Sequence, residues 1–134
     1  MRDSRGDLLG AIAYPLQHSS PVEVELQAIL YALRWAVDEG FVAFQVESDC
    51  SLALDYLSGK ETRKWTKLIQ EISLVKIRKG LVFKHTYREG NWAAHYLAAH
   101  RTSQLTYFDN PAQLPTFVRR AYLMDFFGIP SFRF

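Results

Sequence analysis

Apolar residues at Val22, Leu26, Ile29, Leu30, Leu33 and Val37 recur in steps of three and four, the spacing of one buried stripe on an α-helix. Ser20-Pro21-Val22-Glu23 marks its start: a serine cap, a proline at the first helical position and a glutamate three residues after the serine. Gly40 marks its stop. On either side the pattern changes to strand-like runs. Residues 8–16 (LLGAIAYPL) read as a strand entered from a turn at Asp3-Ser4-Arg5-Gly6-Asp7, and residues 41–46 (FVAFQV) as a second, rich in aromatic and branched side chains. The turn Glu47-Ser48-Asp49-Cys50-Ser51 leads into a short helical pattern that ends at Leu57. Residues 63–74 predict a further helix with Trp65, Leu68, Ile69 and Ile72 on one face, and Lys79-Gly80 then turns into a strand over 81–87. After Arg88-Glu89-Gly90, residues 91–101 predict a helix, and residues 102–134 read as a tail with a short helix over 114–127. Strands alternating with helices call for an α/β layer structure with parallel pairings.

Composition agrees with a folded chain. At 134 residues, 49% apolar and 22% charged, it has the size of one domain and enough apolar side chains for a core. Cys50 has no second cysteine to pair with, and the four histidines match no structural zinc spacing. There is no run of 18 apolar residues and no apolar segment of signal-peptide type, so the expected location is intracellular, cytoplasmic or nuclear, away from membranes. A glycine-rich phosphate loop and an HExxH motif are absent, and no motif marks Cys50 as a nucleophile.

Charge changes the picture more. Residues 1–59 carry three basic and nine acidic side chains, a balance of −6. Residues 60–88 carry nine basic side chains, Lys64, Lys67, Lys76, Lys79 and Arg88 among them, against Glu61 and Glu71, a balance of +7. Such a segment suits phosphate backbones, or is a set of solvated helix surfaces.

Two carboxylates stand out. Glu25 projects from the same side of its helix as the apolar stripe, so it either reaches solvent along the stripe's edge or has a partner inside. Asp49 follows a strand and lies where sites in open α/β sheets gather, and it is equally suited to capping the next helix. His95 and His100 are five residues apart on their helix and cannot chelate as neighbours. Trp65 reads as a core residue on its helix face rather than a base-stacking platform.

In order and spacing, VELQAILYALRWA, FQVESDCSLALDYL and FKHTYREGNWAAHYLA resemble successive motifs of the ribonuclease H family, and more narrowly the plant-type domains related to retrotransposon reverse transcriptases. The similarity implies a ribonuclease H-like domain over 1–101, a mixed sheet flanked by helices, lacking the first strand and most of the second, followed by the tail 102–134. It implies hydrolysis of RNA in RNA–DNA hybrids by Mg2+ held between four carboxylates. Glu25 and Asp49 match two of these and become the implied metal ligands and catalytic groups. His95 stands where the family has its last aspartate, and no residue matches the first. Asn91 matches the family asparagine and, with Arg88, Lys64, Lys67, Lys76 and Lys79, forms the implied nucleic-acid-binding set. Histidine is a poor ligand for magnesium. The expected function is therefore binding of RNA–DNA hybrid or RNA with impaired cleavage. The alternatives are a protein-interaction module, with a partner chain donating the missing strand, or a fragment without function.

Overall fold

A computed structural model describes residues 1–13, 20–41, 44–87, 92–99 and 104–126. They fall into two compact units. One is continuous, Leu16–Thr86; the other joins Met1–Pro15 to Tyr87–Phe134.

The continuous unit begins with α1 (Pro21–Asp38). Ser20 caps it as its sequence signature predicts, its hydroxyl accepting from the Glu23 N–H at 3.3 Å. Gly40, at φ +83°, ends it: the Gly40 N–H donates to the Val37 carbonyl and the Phe41 N–H to that of Ala36, the paired bonds of a glycine-terminated helix. The short strand β2 (Gln45–Ser48) and helix α2 (Ser51–Leu57) follow, then α3 (Thr66–Lys79) and β3 (Val82–His85). β2 and β3 pair in parallel, Gln45 opposite Val82 and Ser48 opposite His85. Parallel neighbours need a crossover, which α2 and α3 supply. Leu26, Ile29, Leu30 and Leu33 of α1 pack with Ala53, Leu57, Ile72 and Leu81 in one core, and Leu26, Ala53 and Ile72 are fully buried. The stripe legible in the sequence is the face that does this.

α3 departs from its expected bounds at both ends. It starts three residues after Arg63, because Trp65 takes a left-handed conformation (φ +58°) and forms the cap instead of the first turn. It ends five residues beyond Leu74, because Lys76, Arg78 and Lys79 favour the negative end of the helix dipole and Gly80 terminates it at φ +61°.

In the other unit, β1 (Ala11–Ala13) pairs antiparallel with β4 (Thr106–Phe108), Ala11 opposite Phe108. Here residues read as tail form a strand. Three residues, TYF, are too short to show alternation, and a distant partner defines them. α4 (Trp92–Ala99) and α5 (Thr116–Phe126) pack together, and Val118 and Tyr122 of α5 close a core with Ala11, Ala13, Phe108 and Leu114. The Leu8 N–H donates to the Tyr122 hydroxyl at 3.0 Å, satisfying that buried phenol. The architecture is mixed α/β as expected. Among the described residues the strands pair as two ladders, β1–β4 antiparallel and β2–β3 parallel.

The first ten residues fold back on themselves. Arg2 pairs with Leu8, the Asp3 side chain accepts from the Arg5 and Asp7 N–H groups, and the Met1 amine donates to the Gly10 carbonyl at 2.8 Å. Burial, and then the neighbouring Arg2 charge, lower that amine's pKa from 8.0 to about 6. Between these values the unfolded chain holds more protons than the folded one, so stability should rise from pH 6 to pH 8. Unfolding midpoints across that window test this. An N-acetylated chain should lose this part of the pH dependence, and an identical rise with and without the acetyl group would refute it.

Candidate functional site at the end of β2

β2 ends at Ser48, whose side chain is 1% exposed although it is polar. A buried hydroxyl needs partners, and this one has two. Its Oγ donates to Oε1 of Glu25 at 2.5 Å and accepts the Cys50 N–H at 3.1 Å. The Ser48 carbonyl also accepts the Thr86 N–H at 2.9 Å, which extends the β2–β3 ladder by one bond. The hydroxyl thus serves both as donor and as acceptor, and it orients the Glu25 carboxylate.

Glu25 precedes the fully buried Leu26 on α1, and the packing of that stripe carries its carboxylate to the end of β2. The inward reading of Glu25 is therefore the observed one. Asp49, half-buried, is the next residue after Ser48, in the bend between β2 and α2. Cys50 occupies the cap position of α2, one residue after Asp49. Sequence reasoning passes over Ser48. The available signal is a small hydroxyl residue at a strand end, directly before a candidate ligand.

Replacing Ser48 with alanine should leave Glu25 and the Cys50 N–H without their shared partner. The expected loss is about 1–3 kcal/mol, read from urea unfolding. An unchanged midpoint would mean that the bridge contributes nothing to the fold.

The basic side chains are not gathered on one surface. Lys64 and Lys67 lie at the start of α3, both exposed, with Lys60 and Arg63 just before them. Lys76 and Lys79 lie in its last turn. Nine residues of helix, about two and a half turns, separate Lys67 from Lys76, so the two leave α3 on opposite sides. Lys76 lays its ammonium 5.1 Å from the centre of the Phe83 ring on β3. Arg88, Asn91, the His95 side chain and His100 lie outside the described residues.

Magnesium takes hard oxygen donors in near-octahedral geometry, and two ions about 4 Å apart need several carboxylates to offset their repulsion. Among the described residues, no three histidine, cysteine, aspartate or glutamate side chains come together as such a ligand set. Glu25 is already bonded to Ser48. These residues do not fit a two-ion centre. Among the described residues, no helix is long and apolar enough to cross a membrane.

Comparison with known proteins agrees with the motifs. No curated protein and no solved structure matches the chain. A family model described as reverse transcriptase-like, a family of ribonuclease H-like domains, matches residues 1–101 of the 134. With three quarters of its length matched, the chain belongs to the reverse transcriptase-like family of ribonuclease H-like domains.

Proposed function

We propose that this domain binds nucleic-acid backbones, as RNA–DNA hybrid or RNA, and cleaves them poorly. The observation that carries the reading is the +7 balance of residues 60–88 within a ribonuclease H-like domain, with Lys60, Arg63, Lys64, Lys67, Arg78, Lys79 and Lys84 all exposed to solvent. Exposed cations of this density gain affinity for polyanions by releasing condensed counterions. Glu25 and Asp49 stand at the family's positions for two metal-binding carboxylates, and a histidine, His95, in place of a third supports impaired hydrolysis.

Affinity should fall steeply as salt is raised. Changing Lys64, Lys67, Lys76 and Lys79 together to glutamine should weaken binding to every sequence alike. It should also flatten the salt dependence by about one unit of log–log slope for each phosphate no longer neutralised. An affinity equal at low and high salt would remove backbone binding as the function.

A further inference from the structure

Two aromatic side chains preceding the first turn of α3 meet beside a cluster of lysines. The Tyr56 and Trp65 rings meet edge to face, with centres 5.7 Å apart and planes at 61°. The Lys60 ammonium stands 5.4 Å from the centre of the Tyr56 ring, and that of Lys64 stands 6.0 Å from the centre of the Trp65 ring. Residues 60–67 carry Lys60, Arg63, Lys64 and Lys67 against Glu61, a balance of +3. Beside Trp65 lies an open groove of about 420 Å3, lined by Glu23 and Gln27 of α1 and by Thr66, Lys67 and Leu68 of α3. Glu71, on the same groove, is neutralised by Arg34 at 2.9 Å.

Resting on the backbone-binding reading above, we propose that Trp65, flanked by Tyr56, Lys60 and Lys64, is a stacking site for one unpaired base of a single-stranded nucleic acid. Trp65, the left-handed cap residue of α3, is half-buried: it packs against the core and also lines the groove. The lysine over the ring holds its place weakly. A base stacked on an aromatic face is worth about two to three times an exposed cation–π contact, so a base displaces the ammonium, which then remains next to the phosphate of the same nucleotide. Duplexes keep their base faces against one another and cannot use such a site. Every base has a face to stack, so recognition is tolerant of sequence. The edge-to-face geometry offers one accessible stacking plane rather than two parallel ones, which limits the site to one base.

The test uses the intact chain with labelled oligothymidine and, separately, a blunt DNA duplex of equal length, followed by fluorescence anisotropy. Trp65→Leu should weaken binding of the single strand by about tenfold and change duplex affinity by less than about twofold, and Trp65→Tyr should recover most of the loss. A chain carrying Trp35→Phe and Trp92→Phe keeps Trp65 as its one tryptophan, and its fluorescence should be quenched by the single strand and not by the duplex. This second reading does not depend on whether the leucine variant folds. Unchanged strand affinity in Trp65→Leu, equal loss for strand and duplex, or fluorescence insensitive to the strand would each overturn the stacking site. Should duplex binding still fall with the lysine substitutions, backbone binding would survive that result. A wild-type chain that binds neither nucleic acid at low salt would overturn both.

Discussion

An RNA–DNA hybrid offered to the purified chain with magnesium or manganese is expected to be cut more than about a thousandfold more slowly than by a family member holding four carboxylates. Each factor of ten in rate corresponds to about 1.4 kcal/mol, and metal-bound charge stabilisation commonly supplies several kcal/mol of the barrier reduction. In the proposed reading, Glu25 and Asp49 stand at two of the four family carboxylate positions and His95 at a third. Changing His95 alone to aspartate should therefore leave the rate close to background. The same change combined with an added strand that carries an aspartate ahead of residue 1 should raise metal-dependent cleavage. A robust activity in the unmodified chain, abolished by Glu25→Gln or Asp49→Asn, would show that fewer carboxylates suffice.

The second large effect is on stability. Leu26→Ala removes a fully buried side chain from the centre of the α1 stripe, next to the residue that carries the Glu25 carboxylate. The forfeited transfer energy and the cavity together should cost about 2–5 kcal/mol. That is a large share of the ~5–15 kcal/mol by which domains of this kind are stable. Ile77→Ala, at a side chain 77% exposed, should change stability by less than about 0.5 kcal/mol. Guanidinium unfolding of the two variants in parallel checks this, and similar midpoints would mean that the stripe does not hold the unit together. Because Glu25 follows the same stripe, Leu26→Ala should also loosen the Glu25–Ser48 bond, which the hydroxyl proton of Ser48 would report in its exchange with water.

These two residues show what is legible in a sequence and what is not. α1 is readable from start to stop because its signals are local: Ser20 caps, Pro21 fits the first turn, the stripe has one period, and Gly40 supplies the left-handed stop. Glu25 stands out as an anomaly on that stripe. The reason for it, a buried serine 23 residues later, is a tertiary contact with no period of its own. Trp65 packs against the core as its spacing predicts, but its place at the helix boundary is not legible. Its spacing with Leu68, Ile69 and Ile72 is helical, but spacing cannot reveal that the backbone turns left-handed one residue before the helix begins. β4 escapes a sequence reading because only Ala11–Ala13, far away in the chain, makes three residues into a strand. The family motifs single out Glu25 and Asp49 as candidates, and geometry adds the serine that holds Glu25.

The pairing of β1 with β4 has a consequence for how the chain is born. Ala11 must wait for Phe108, 97 residues later. At about 5–20 residues per second, ribosomes leave that strand without its partner for roughly 5–20 s. During the same interval the continuous unit, Leu16–Thr86, is already fully synthesised. Its contacts are closer in sequence, so the entropy of closing its loops is smaller. Ala11–Ala13 thus settle later than the unit that follows them in the chain. A nascent chain arrested before residue 106 should hold a protected α1 and an unprotected Ala11–Ala13, and co-translational helpers that shield short apolar strands would find their substrate in that waiting segment.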